Sequence, residues 1–177
     1  MEYQIALLKA HQVMKSLQPY CKQVEIVGDL RRRCPKVRSI ELLAVSREEE
    51  VYDLFGELVA PFPLIDDWVY SCGLNFTKNG PKYKCFCWEE VKVDLFLTSQ
   101  YQWGLHLALR TGSRPYARWL VTPKRKGGAL PGYMQVHDGW LWSRDKKIVT
   151  LTEPNFFSCI EAEWIRPEKR TAEVWRQ

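Results

Sequence analysis

Two acids fall on strand-like segments of this chain: Glu41 in "VRSIELLAV" (37–45) and Asp94 in "VKVDLFLT" (91–98). A glycine turn, "VGDLRRR" (27–33), precedes the first, with Arg31 and Arg32 close behind Gly28. Carboxylates from neighbouring strands can converge on a hard cation such as Mg²⁺ or Mn²⁺, which takes oxygen ligands. A glycine turn that opens a helix offers backbone N–H groups to an anion, and arginine adds permanent charge suited to phosphate. Together they meet the two needs of metal-assisted phosphoryl transfer: ligands for a cation and donors for a polyphosphate. Taken alone, a single Asp in a strand is more often an edge residue or half of a structural ion pair.

Positioning these residues requires a sheet. Alternation predicts a strand over 37–45, with Val37, Ser39, Glu41, Leu43 and Val45 on one face. A short strand over 23–27 leads into Gly28, and Pro35 keeps any helix at Leu30–Arg33 short. "KYKCFCW" and "VKVDLFLT" read as a hairpin joined by Glu89-Glu90, with Lys92, Asp94 and Phe96 pointing one way. Helices are predicted over 3–18, ended by Pro19, and over 47–59, where Val51, Leu54, Phe55 and Leu58 form an apolar stripe broken by Pro61 and Pro63. Further on come a helix over 101–109, the turn "RTGS" (110–113), and a helix starting at Arg114-Pro115. Asp138-Gly139 marks a hairpin, "IVTL" a further strand, and Thr152 the cap of a helix over 153–160. The fold class is therefore α/β (α+β), with the weakest seam at 98–102 dividing an N-terminal helix and sheet unit (1–100) from a smaller C-terminal unit (101–177).

Composition narrows the classes. The 177 residues are 46% hydrophobic and 27% charged, ordinary for a soluble globular chain. The formal charge of +5 leans toward anionic partners. Six cysteines without a CxxC pair, and three histidines far apart in sequence, argue against zinc. The opening "MEYQIALLKA" lacks the basic start and cleavage site of a signal peptide, and no apolar run is long enough to span a membrane. An intracellular (cytoplasmic) protein with free thiols is expected.

The order of the motifs is itself informative. "PYCKQVEIVGDLRRRCPKVRSIELLAV", "VKVDLFL", "WGLHLALRTGS", "DGWLW", "EPNFFSCI" and "EWIRPEKR" together resemble the palm and thumb of family X DNA polymerases, the group that includes DNA polymerase beta. The resemblance spans roughly residues 15–170. It implies a nucleotidyltransferase palm with a mixed sheet, followed by a small thumb containing a β-hairpin, without the family's N-terminal lyase domain. It also implies a role for particular residues. Glu41 and Asp94 match metal-binding, catalytic acids; Gly28 and Arg32 match the triphosphate turn; Thr111, Gly112 and Ser113 match the turn that holds the incoming nucleotide's sugar. The implied cofactor is Mg²⁺ or Mn²⁺, and the implied partners are DNA and a nucleoside triphosphate. Arg114 and Arg118, one helical turn apart, are expected to face DNA.

Four positions depart from the family pattern. Asp29 stands where a phosphate-binding serine is usual, and Ser39 where the first acid is usual. Arg110 replaces an aromatic near the sugar, and Pro123 falls where the helix after the turn would continue. The sequence thus carries two readings: a DNA polymerase-like nucleotidyltransferase acting on 3′ ends or short gaps, or a non-catalytic module on the same scaffold that binds nucleic acid or a protein partner. Asp29 is expected to replace the missing ligand from the opposite side.

Overall fold

The structure, a computed structural model, describes residues 1–59 and 61–171. Chain order begins with helix α1 (Tyr3–Leu17), strand β1 (Cys21–Ile26), the one-turn helix α2 (Gly28–Arg31) and strand β2 (Ile40–Ser46). Two short strands, β3 (Glu48–Glu49) and β4 (Phe62–Pro63), lead to helix α3 (Leu64–Ser71) and strands β5 (Phe76–Asn79), β6 (Tyr83–Trp88) and β7 (Val91–Leu97). Helices α4 (Trp103–Thr111) and α5 (Arg114–Leu120), strands β8 (Met134–His137), β9 (Trp140–Ser143) and β10 (Lys146–Ile148), and helix α6 (Glu153–Cys159) complete it.

The main sheet is mixed, in the order β1-β2-β7-β6-β5, with β2 and β7 parallel. Both faces of β2 are covered, which is why "IELLAV" is almost continuously apolar and why Glu41 stands out in it. On one face Ile40, Leu42, Ala44, Val93, Leu95 and Phe86 pack against α1 and α3. On the other, Val27, Leu43 and Val45 meet Trp103 and Leu107 of α4. The opposite side of α4, with Leu105 and Ala108, enters a separate core with Tyr116, Leu141, Phe156 and Phe157. This helix therefore couples the sheet to the C-terminal part through its own apolar faces. Three tight hairpins use left-handed residues: Glu89-Glu90 (φ 44° and 68°) between β6 and β7, Asp138-Gly139 (φ 52° and 80°) between β8 and β9, and Arg144 (φ 52°) between β9 and β10.

Three expectations are corrected. Residues 47–59 are not a helix. β3 pairs with β4, Tyr52 bridges Leu58, and the stretch between them stands in solvent. A helix of this length gains its stability from packing an apolar stripe on a core, and here no core surface meets that stripe. The helix forms instead directly after Pro63, with Asp66 and Asp67 in its first turn, where the helix dipole favours them. Second, β2 begins at Ile40, so Val37 and Ser39 lie on the approach loop; the Val37 N–H donates to the Met1 carbonyl. Third, the sheet has an additional edge strand, β5, short and bulged against β6.

Candidate functional site

Parallel pairing sets Glu41 directly beside Asp94, with both side chains on the face that α4 covers. Asp94 is buried; the Tyr83 hydroxyl donates to it at 2.5 Å and the Lys92 ammonium lies at 3.0 Å. Burial alone would raise the Asp94 pKa. Hydrogen bonds from Tyr83, Lys92 and Ser39, with the charge of Lys92, outweigh it and hold the group below its ordinary value. Glu41 is opposite in sense. Burial first, then the negative charges of Asp29 and Asp94, push its pKa up, against Arg32 and Arg38. Carboxylates that repel one another in this way are what a cation relieves.

Gly28 is required over this acid pair. Its φ is +62°, and a Cβ there would lie 1.5 Å from Glu41 Oε2. The Val27 N–H donates to the Glu41 carbonyl at 2.9 Å, which ties the turn to β2. Asp29 does not face the acids as a lone ligand. Arg32 pairs with it at 2.5 Å and Arg38 at 3.3 Å. Among the described residues no set of three or more His, Cys, Asp or Glu side chains is arranged to hold a metal. Asp29, expected to replace the missing ligand, is held here in a local ion pair with Arg32, spaced i, i+3 along the turn.

The donor set still suits one divalent ion. Mg²⁺ commonly takes one or two protein carboxylates, with waters and substrate phosphates filling the rest. Glu41 and Asp94 can supply those two, whereas Ser39 is neutral and adds no charge for a second ion.

Arg32 has a second partner: its guanidinium donates to the Thr111 carbonyl at 2.6 Å. The expected phosphate arginine thus already bridges the glycine turn to the Thr111–Ser113 turn. That second turn is formed by the junction of two helices. Thr111 is the last residue of α4, and the Ser113 hydroxyl caps α5 by accepting from the Tyr116 N–H at 3.4 Å. Gly112 lies against the Tyr116 ring, where a Cβ would come within 2.5 Å. Arg110 leans over Phe96, its guanidinium 3.8 Å from the ring centre. Burial lowers the Arg110 pKa, and the charges of Glu41 and Tyr83 oppose that shift, so this base lies within electrostatic reach of the acids.

Beneath both turns is an ion cluster that sequence reasoning missed. Glu153 is 4% exposed and accepts from Arg31 (2.7 and 3.1 Å), Arg170 (2.5 Å) and the Trp164 indole (3.0 Å). Arg31 also donates to the Thr111 hydroxyl. Arg170 is fully buried, stacks over Phe157 and Trp164, and its carbonyl accepts from the Ser113 N–H. The cluster joins α2, the Thr111–Ser113 turn and α6. Arg31 was legible as part of a basic run; its partners Thr111 and Glu153 lie 80 and 122 residues away and left no local signal. Tyr83 was also missed. Lys92 had a signal, being two residues from Asp94 on the same strand face.

Arg114 and Arg118 are both exposed and line a hollow of about 580 Å³ with Pro115, Trp119, Thr122, Lys126 and Gly127. Lys84, one of several basic residues near the hairpin, is buried and bound to Asp66 and Asn79, so it faces no ligand. Among the described residues no helix is long and apolar enough to cross a membrane.

The architecture defines the class: a mixed α/β fold of the DNA polymerase beta type. Among the 227 solved chains that match is the polymerase beta of Leishmania infantum, described as a ternary P/T complex. It aligns with a TM-score of 0.71 over 96% of this chain and 76% of its own, at 14% identity. No family model matches the sequence, and no curated protein does.

Proposed function

We propose that this chain is a nucleotidyltransferase that extends DNA 3′ ends, or fills short gaps, from nucleoside triphosphates. One observation carries the reading: Glu41 and Asp94 stand side by side on parallel strands, directly under a Gly28 turn that admits no side chain. The fold likeness agrees with it.

On this reading Glu41 and Asp94 would hold Mg²⁺ or Mn²⁺, which supplies Lewis-acid stabilisation of the phosphates when bound. The chain's own residues do the rest. Asp94 stays ionised through its bonds to Tyr83, Lys92 and Ser39, so its carboxylate can accept from a primer 3′-hydroxyl and orient it for in-line attack. Backbone N–H groups at Gly28 face the polyphosphate, and Arg38, largely free of its surroundings, can swing toward it. The Thr111–Ser113 turn, clamped by Arg31 and Arg32, fixes where the sugar rests. Arg114 and Arg118 offer charge to the DNA backbone.

Primer extension on gapped DNA, with each metal, tests the reading. The parent should incorporate nucleotides and Asp94→Asn should not. A parent that binds gapped DNA but incorporates nothing with either metal refutes it. The second reading, a non-catalytic nucleic-acid-binding module, is favoured by one feature: Arg32 is already committed to Asp29 and Thr111. Ser39→Asp combined with Asp29→Ser separates the two, because extension only in the double variant marks a scaffold that has lost its chemistry.

A further inference from the structure

The stretch after β2 is held by its own contacts yet covered by none of the other described residues. The Val59 N–H donates to the Val51 carbonyl at 2.7 Å, and the Asp53 N–H to the Glu57 carbonyl at 2.9 Å. The Asp53 carboxylate accepts from the N–H groups of Phe55 (2.8 Å) and Glu57 (2.9 Å), closing a tight turn. That turn projects Leu54 and Phe55 side by side, 101% and 90% exposed, with Tyr52, Leu58 and Val59 also exposed along its stem. Leaving an adjacent Leu–Phe pair in water is unfavourable, and ordered exposed apolar groups of this kind mark contact sites. The surroundings are of one sign: Glu48, Glu49, Glu50, Asp53 and Glu57, with no Lys or Arg between 48 and 59.

The complementary surface is on the same molecule. The hollow beside α5 is lined by the apolar Pro115 and Trp119 and by the exposed bases Arg114, Arg118 and Lys126. We propose that the Leu54–Phe55 tip of one copy docks in the α5 hollow of a second copy of this chain. The leucine and phenylalanine lie on Pro115 and Trp119, while the acids of the stem meet those bases. Both the apolar and the charge patterns match, which a contact needs for orientation as well as for affinity. The two surfaces are unlike, so the contact is heterologous. Every bound copy keeps one free tip or one free hollow, and association continues beyond a pair unless a ring closes. Neither Glu41 nor Asp94 takes part; Arg114 and Arg118 are shared with the proposed DNA contact, so the Leu54 and Phe55 substitutions, which touch neither the acids nor that face, test the contact apart from the proposed function.

Sedimentation velocity of the full chain at low ionic strength tests this. The parent should form concentration-dependent species larger than a dimer, and added salt should dissociate them. Leu54→Ser with Phe55→Ser should be monomeric, and so should Arg114→Glu with Arg118→Glu; circular dichroism checks that each folds. Glu50→Lys with Glu57→Lys provides a second, fully surface-borne disruption of the tip. The decisive sample is an equal mixture of the tip variant and the hollow variant. It retains one intact hollow and one intact tip, so it should form a one-to-one pair and stop there. A parent that is monomeric throughout, variants that associate as the parent does, or a mixture that stays monomeric each overturn the proposal.

Discussion

Replacing Glu153 by Gln keeps the shape of the side chain and removes its charge, and the consequence can be worked from the surroundings. Burial works to raise the Glu153 pKa; hydrogen bonds from Arg170 and Arg31, with their charges, overcome it and hold the carboxyl at about 2. The ordinary value is 4.5. That difference corresponds to about 3 kcal/mol of stability at neutral pH. An independent argument gives a similar size. Removing one partner from a buried ion pair costs about 3–5 kcal/mol, because the remaining charge is left uncompensated, and here both Arg31 and Arg170 lose their carboxylate. For a chain of this length the melting temperature should fall by about 6–12 °C.

The pH dependence has a definite sign. A carboxyl whose folded pKa is depressed stabilises fully above its unfolded value, and that contribution is lost as pH falls through the folded value. The difference between parent and Glu153→Gln should therefore be complete at pH 7 and shrink between about pH 4.5 and pH 2. Urea unfolding followed by tryptophan fluorescence reads it. A difference below about 1 kcal/mol at pH 7, the scale of an ordinary exposed ion pair, would refute the reasoning. So would a difference that remains unchanged down to the acid end of the series.

Further outcomes follow from the acid pair. Lys92→Met should raise Mn²⁺ affinity in calorimetry, because the ammonium 3.0 Å from Asp94 competes for the same oxygen; unchanged affinity argues against that competition. Glu41→Gln should stabilise the fold at neutral pH and lose that advantage in acid, where Glu41 is protonated in any case, since its pKa is raised chiefly by burial and then by Asp29 and Asp94; thermal melts at several pH values check the sign. Gly28→Ala should cost at least about 1–2 kcal/mol from its left-handed backbone alone, and should also weaken Mn²⁺ binding by displacing the Glu41 carboxylate. Mn²⁺ and a non-hydrolysable nucleoside triphosphate should each tighten the other's binding, measured by titrating one in the presence and absence of the other; independent affinities refute the coupling.

What was legible in the sequence depended on the range of the interaction. The alternation of "IELLAV" and "VKVDLFL" placed Glu41 and Asp94 on strands, and the motif order placed those strands next to each other. The cap at Thr152 and the Asp138-Gly139 turn are local chemistry and form where expected. The 47–59 stripe was misleading because Val51, Leu54, Phe55 and Leu58 have helical spacing whether or not a core lies opposite them. Pro63, read as a helix breaker, in fact stands at the start of α3. The Glu153 cluster was not legible at all, since its members come from three distant segments and no pair of them shares a periodicity.

The two unusual positions, Asp29 in the glycine turn and Ser39 on the approach to β2, also acquire a physical sense together. Ser39 brings no charge to the centre, while the carboxylate of Asp29, on the glycine turn, is held by Arg32 and Arg38. Asp29 still raises the Glu41 pKa, so its charge is felt at the acids even though its oxygens are occupied. Meanwhile Lys92 lies against Asp94, and Arg110, stacked on Phe96, feels the charge of Glu41. The acids are thus balanced by resident bases. On the proposed reading, a divalent ion held by Glu41 and Asp94 would have to compete with those bases, and the oxygens of a polyphosphate would offer Lys92, Arg110 and Arg38 alternative partners. Affinity for such an ion would then be governed less by the number of carboxylates than by where the bases can go.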